Sequence, residues 1–415
     1  MRILLSILTL LFVLSCDDSP TVVQPTTIRD FNVYPNDLIS ACSTPNGNYI
    51  LNVGDSVASI DANGSLNWYF TDSLSYTSSV FASNDNGVYI ISNPRTIPQT
   101  PGTPSGISTV KFRIDKLDPS GNLQWRKTYW TLEHPTTTSH RSFYNDFDNF
   151  YLRYQDYGLG YQDSSGDLFI VFSYDTGPST ICRFKLMRLS SNGELQKQQE
   201  FQMDASYSRV YTIKTFDGNV YLSTGGNLSY RLYQFSRNLE LIRTYKGAND
   251  DRDPTLSNVM QSADGTITFT GQVDRVNNPV INTNYDCAIV VWDDSAELST
   301  THIGRASNRE RCFSAVFDNN GTVMLLFGRR NTNELSASSG SDLGIFCSGH
   351  TRQTPCEYVI SENFGLEGIF LDRIGTNEYV IIGSDAGFQT KVNVAGEPPR
   401  VESNGHTFFM KVVLN

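Results

Sequence analysis

This 415-residue chain is short of most of what would mark an enzyme or a nucleic-acid binder. Its five histidines (His134, His140, His302, His350, His406) include no H-E-x-x-H pair and no two-His metal pattern on one strand. There is no G-x-S-x-G and no phosphate-binding G-x-x-x-x-G-K-[ST]. Charged residues are only 18% of the chain and sum to −11, so there is no basic patch to displace counterions from nucleic acid. Beyond the first fifteen residues no apolar run is long enough to span a bilayer. Windows with helical apolar periodicity are nearly absent as well. No catalytic set, no cofactor and no metal is expected. "NDFDN" (145–149) and "NDDRD" (249–253) offer carboxylates to calcium, but neither follows the EF-hand spacing, and both read as solvated turns.

What is present is aromatic and turn-rich. The chain carries 24 Phe, 21 Tyr and 31 Gly, with abundant Asn, Ser and Thr. This composition suits an all-β fold with many tight turns.

The start of the chain is a separate matter. Arg2 precedes an apolar run from Ile3 to Leu14, the length of a signal-peptide core and too short to cross a bilayer. It ends Val13-Leu14-Ser15-Cys16. An aliphatic residue, a small residue at the cut and then cysteine resemble a bacterial lipobox, in which residues 1–15 are removed and Cys16 takes acyl chains such as palmitate. Asp17-Asp18 and the polar residues to about 26 read as a tether. Acidic residues just after the cysteine resemble the surface-export signal of bacteroidete-type lipoproteins. The resemblance implies an anchor in the outer membrane, exposed at the cell surface.

From about residue 27 onward one phrase recurs. "LDPSGNLQWRKTYW" (117–130) is echoed by "IDANGSLNWYF" (60–70), "LSSNGELQKQQEF" (189–201), "FSRNLELIRTY" (235–245) and "WDDSAELSTT" (292–301). Upstream of each lies an earlier hairpin, turning at Asn46-Gly47, Asn86-Gly87, Ser165-Gly166, Asp217-Gly218, Asp264-Gly265, Asn320-Gly321 and near Gly375. Asn-Gly and Asp-Gly suit two-residue turns in which both central residues take positive φ. Hairpin, connection, hairpin makes a unit of four strands, a to d, and there are seven units. The b strands ("YIISN", "FIVFS", "VMLLFG", "YVIIGS") are apolar throughout, as strands buried on both faces should be. The seventh unit ends after its c strand, and residues 27–34 form a strand with no unit of their own. Pairing the two closes a ring. The repeat resembles the seven-bladed β-propeller repeat of bacterial secreted and surface proteins. It implies a single propeller domain over 27–415, hung by its rim from the tether with both faces free.

Cys16 aside, six cysteines remain. Cys347 and Cys356 flank the loop that replaces Asn-Gly in blade 6, and a disulfide across that hairpin is expected. Cys42, Cys182, Cys287 and Cys312 lie on predicted strands, as small buried residues or as further pairs.

Two insertions interrupt the pattern. Residues 93–106 are Pro-rich. Residues from about 131 to 156 crowd Phe143, Tyr144, Phe147, Phe150, Tyr151 and Tyr154, with Tyr157 just beyond, into a segment longer than a connection needs. Such residues form a binding surface for protein or glycan, or else cover the rim. Ser56, Ser73 and Ser295 sit in Asp-Ser-aliphatic triplets that resemble bacteroidete O-glycosylation acceptors. The expected function is a non-enzymatic, protein-binding accessory subunit of an outer-membrane transport, secretion or adhesion complex. The alternatives are a surface glycan binder for polysaccharide capture, and a propeller hydrolase or lyase with its site on the axis.

Overall fold

A computed structural model describes residues 21–22, 25–31, 38, 40–53, 56–71, 75–94, 107–135, 159–175, 182–203, 209–226, 229–247, 251–275, 285–292, 298–303, 308–331, 342–348, 356–361, 366–385, 390–392, 400–402 and 406–414. Every regular element among them is a strand. Two short strands come first, β1 (Thr21–Val22) and β2 (Pro25–Phe31). Blade 1 then comprises β3 (Ser40–Ser43), β4 (Tyr49–Asn52), β5 (Ser56–Ile60) and β6 (Leu66–Thr71). Blade 2 comprises β7 (Ser75–Ala82), β8 (Val88–Pro94), β9 (Ile107–Leu117) and β10 (Leu123–Pro135). Blade 3 is β11 (Leu159–Gln162), β12 (Leu168–Asp175), β13 (Cys182–Leu189) and β14 (Leu195–Gln202). Blade 4 is β15 (Arg209–Phe216), β16 (Asn219–Gly226), β17 (Ser229–Ser236) and β18 (Leu241–Lys246). Blade 5 is β19 (Asp251–Gln261), β20 (Ile267–Arg275), β21 (Tyr285–Trp292) and β22 (Leu298–Ile303). Blade 6 is β23 (Asn308–Phe317), β24 (Val323–Asn331), β25 (Asp342–Ser348) and β26 (Cys356–Ser361). Blade 7 takes β27 (Leu366–Arg373), β28 (Glu378–Asp385) and, after a small hairpin of β29 (Thr390–Val392) and β30 (Arg400–Glu402), β31 (His406–Val413).

The fourth strand of blade 7 is β2, antiparallel to β31 with Ile28 opposite Met410. The N-terminal strand therefore closes the ring as expected, over residues 25–31 rather than 27–34. Inner strands touch in the order β3, β7, β11, β15, β19, β23, β27 and back to β3. The structure is a seven-bladed β-propeller. One detail departs from the sequence reading: β1 adds a fifth strand to blade 6, parallel to β26 with Thr21 opposite Tyr358. Part of the expected tether is thus paired to the rim.

The core is divided into seven clusters, one at each blade interface. The b strands show why. In β8, Tyr89 and Ile91 join the cluster facing blade 3, while Val88 and Ile90 join the one facing blade 1. In β28, Tyr379 and Ile381 face blade 6 while Val380 and Ile382 face blade 1. Strand alternation puts successive side chains on opposite faces, so a strand with two buried faces reads as an unbroken apolar run. The outer strands are the reverse, with β14 exposed at nearly every position.

The turns correct the sequence reading. Among the described turns only Asp217-Gly218 is a two-residue turn with both residues at positive φ (51° and 76°). Most others are longer loops, closed by paired bonds such as Asp118 N to Asn122 O and Gly121 N to Asp118 O. Only the fourth residue takes positive φ, the form of a type I turn followed by a bulge. The first residue holds the loop: Asp61, Asp118, Asp163 and Asp318 each accept two backbone N–H groups of their own turn. In blade 4 the fourth residue is Leu239, at φ 62° and fully buried. Burial of its side chain offsets the strain of a left-handed leucine.

The repeated phrase also links blades. The Trp68 indole of β6 donates to Pro119 O in the next blade's c–d turn at 2.9 Å. A Cβ on Gly121 would lie 2.7 Å from that ring. Trp125 and Tyr129 of β10 sit likewise over Gly193, and the Tyr129 hydroxyl donates to Gly193 O at 2.6 Å. The glycine serves twice, for its φ and for the flat surface it leaves to the neighbouring blade's aromatic ring.

Cys287 of β21 and Cys312 of β23 form a disulfide between blades 5 and 6, Cα–Cα 5.6 Å. Cys42 is a free thiol, pushed up to about 12 by burial. Cys347 is disulfide-bonded, and Cys356 is its cross-strand register partner.

Three outcomes test this account. Deleting residues 25–31 exposes the edge of β31 and should lower the melting temperature or cause aggregation. Gly47 has φ +82° and no neighbour within 4 Å, whereas Gly121 has φ +83° and the Trp68 ring. Urea titration should therefore show a loss of about 1 kcal/mol for Gly47→Ala and about 2–4 kcal/mol for Gly121→Ala. Non-reducing peptide mapping should recover Cys287–Cys312 and Cys347–Cys356, and the paired serine substitution of the first should cost on the order of 3 kcal/mol for its 25-residue separation.

Candidate functional site

Alternating strand direction sorts the connections onto two faces. The a–b and c–d turns lie on one, the turn face. The b–c and d–a connections lie on the other, the loop face. The loop face receives every long connection: 95–106, 136–158, 276–284, 332–341 and the segment 386–405 that holds the β29–β30 hairpin.

Blade 2 is the exception in this regular ring. Pairing between β8 and β9 stops at Ser92 opposite Arg113. Pairing between β9 and β10 continues to Ile107 opposite Pro135. β8 itself ends at Pro94, so the outer two strands run on past it over residues 107–110 as a two-stranded ribbon, about 13 Å long at a strand's rise per residue. Both insertions read in the sequence leave from this ribbon. Residues 95–106 enter it at Ile107, and the aromatic segment leaves it at Pro135. Residues 131–135, expected as part of the insertion, are strand.

Phe143, Tyr144, Phe147, Phe150, Tyr151, Tyr154 and Tyr157 lie outside the described residues, as do Cys16, Ser73 and Ser295. The strands β10 and β11 nevertheless place both ends of the aromatic segment on the loop face, between blades 2 and 3. Ser56 is buried at 4% exposure, 3.4 Å from the Thr71 hydroxyl. A glycan on Ser56 would have to be added before blade 1 folds.

A cleft of about 390 Å³ opens on the turn face between blades 2 and 3. Its charges are paired: Lys116, 3% exposed, lies 2.6 Å from Asp85 and 4.5 Å from the centre of the Tyr89 ring. Asp85 is held below the usual carboxylate range; burial opposes this, and the Lys116 ammonium with the other hydrogen bonds outweighs it. Gln162 crosses the same interface, its carbonyl accepting from Ser83 Oγ and Asn84 N. The network joins the two blades.

A second group meets near the axis. Lys214 stands near the end of β15 and Asp372 near the end of β27, inner strands of blades 4 and 7, and their charges interact across the ring. The Tyr49 hydroxyl of β4 hydrogen-bonds with Asp372. Burial lowers the Lys214 ammonium and raises the Asp372 carboxyl, in each case against the opposing charge. Sequence reading missed this group. Its only signal was a charged residue two or three places before a turn, in "IKTF" and "FLDR". Among the described residues no cluster of three or more His, Cys, Asp or Glu is placed to hold a metal.

A raised carboxyl binds its proton in the folded state at pH values where the unfolded chain has released it, so stability falls as pH rises through that window. Asp372→Asn should therefore raise the melting temperature at neutral pH, and the gain should vanish once the pH falls below the ordinary carboxylate range.

Comparison with protein-family models gives no match, and no match is found among curated proteins. Solved structures do match. The WD40 domain of Pan2 from Neurospora crassa aligns over 95% of this chain and 98% of its own, at 8% identity and TM-score 0.54. A polysaccharide lyase of family PL25, an ulvan lyase, aligns over 86% and 93%, at 10% identity and TM-score 0.55. A protein of unknown function from Bacteroides caccae aligns over 65% and 81%, at 11% identity and TM-score 0.40. At these identities the first two likenesses establish the propeller fold and nothing finer.

Proposed function

We propose that this chain is a lipid-anchored, non-enzymatic propeller of the outer membrane, exposed at the cell surface. It would serve as a protein-binding accessory subunit of a transport, secretion or adhesion complex. The observation that carries the reading is the blade 2 ribbon, which brings the Pro-rich and aromatic insertions to one place on the loop face. A rigid ring that presents one built-out arm is suited to holding a partner. The signal-like start and Cys16 support the anchor, whose acyl chains would be the link to the membrane. A nucleic-acid partner is not part of the reading.

The second reading is glycan capture. The Tyr-rich content of residues 143–157 favours it, since tyrosine offers a flat apolar ring with a polar tip. The fold likeness to a polysaccharide lyase is compatible with it.

Affinity purification from detergent-solubilised membranes separates the two. The first reading expects a stoichiometric partner that is lost when residues 95–106 and 136–158 are replaced by short turns. A chain that runs alone, together with glycan-array binding abolished by the pair Tyr151→Ala and Tyr154→Ala, would favour the second. Cys16→Ala should release a folded protein from the membrane fraction.

A further inference from the structure

The N-terminal strands have a direction, and with it the ring acquires an orientation. In blade 6, β26 begins at the c–d connection, on the turn face, and runs toward the loop face. β1 is parallel to it, with Thr21 opposite Tyr358, only two residues into β26. β2 is antiparallel to β31 and starts with Pro25 opposite Val412, again at the turn-face end. At Thr21 the described chain therefore has its N-terminal end directed at the turn face, at the junction of blades 6 and 7. Five residue steps separate Cys16 from Thr21, which allows at most about 18 Å of extended chain.

A second observation lies on the same face. The first residue of the outer strand, directly after the c–d turn, is leucine in blades 1 to 4: Leu66, Leu123, Leu195 and Leu241, exposed at 48%, 43%, 47% and 45%. Ile242 adds 52%. These residues form an apolar crescent along the outer corner of the turn face. The tether exit at blades 6 and 7 and the crescent over blades 1 to 4 together span the ring. Four turn carboxylates on this face, Asp61, Asp118, Asp163 and Asp318, are occupied by backbone N–H groups of their own loops.

We infer that the turn face lies against the lipid bilayer, with the leucine crescent at the headgroup level and the loop face turned outward. The inference rests on the lipid anchor at Cys16 proposed above. It replaces the expectation of a ring hung by its rim with both faces free. A short tether is what enforces the orientation, because it is too short to carry the loop face, with its long connections, round to the membrane. The leucines favour the face-on pose over an edge-on one, since exposed apolar side chains gain from partial burial among acyl chains.

The two ends of β14 provide the test. Asn192 lies in the turn just before β14 and Gln202 at its loop-face end, and both are exposed. Asn192→Cys and Gln202→Cys, each in a Cys42→Ser/Cys182→Ser background, would be spin-labelled in the full lipidated protein. The protein would then be placed in vesicles of phosphatidylethanolamine and phosphatidylglycerol. Collision with a headgroup-linked nickel chelate should be several-fold greater for the label at 192 than for that at 202. Equal collision, or greater collision at 202, would overturn the orientation. So would shielding of 192 from both the lipid-linked and a water-soluble relaxer, which would mean a protein occupies the face. The mass of the N-terminal peptide is read in the same samples. An unacylated Cys16 with no vesicle binding would sink the anchor itself, a different failure from a bound protein in the wrong pose.

Discussion

Everything in this fold depends on the fact that each four-stranded sheet has two apolar faces. A strand such as β8 or β28 cannot hide both faces within its own blade, so each blade needs a neighbour on either side. Only a closed ring satisfies that for every member. Among the described residues the seven interface clusters are the core. This is why the chain can be low in charge and rich in aromatic residues without a conventional centre. It is also why long connections fit on one face, since the interface clusters are built almost wholly from strand residues.

The secondary links follow from the same requirement. Blades packed on apolar faces alone would be free to slide. The Trp68 indole on the Gly121 turn, the Tyr129 hydroxyl on Gly193 and the Cys287–Cys312 bridge fix their relative heights. Arg243 over the Trp292 ring at 4.7 Å does the same between blades 4 and 5. The recurrent c–d phrase, "SGNLQW" in blade 2 and "NGSLNW" in blade 1, is thus an inter-blade fastening written as a hairpin, and it weakens where other fastenings replace it. In blade 4, Leu239 takes the glycine's place and is buried, and Arg237 reaches back to Asp163 and Asp167 of blade 3.

The architecture was legible because its signals are local and periodic. Turn residues at fixed offsets and unbroken apolar b strands suffice to count blades, and the leftover strands at the two ends suffice to close the ring. The turn type was not legible, since Asn-Gly fits both a two-residue turn and the last half of a longer loop, and only the Asp61-type side-chain bonds distinguish them. Lys214, Asp372 and Tyr49 come from three different blades, and no spacing in one dimension reports which inner strands face each other across an axis. The two insertions were visible as interruptions. That they share one ribbon required the register of β9 and β10. Ser56 shows the converse, a motif present in sequence whose hydroxyl is buried by its own blade.

The pairing of β2 with β31 has a consequence in time. β2, near the start of the chain, is the last partner of the final strand, β31. As the chain is made, six blades can assemble from contacts within or between adjacent repeats, but the seventh waits for Phe408 and Met410 to find a segment near the start. That contact has close to the largest sequence separation the chain permits, and closure of so long a loop comes late in folding because few earlier contacts reward it. If the start is already tied to a membrane, the search for β31 takes place at a surface, with the N-terminal strand held in place rather than diffusing. An anchor at Cys16 would then set the order of folding as well as the position of the folded ring.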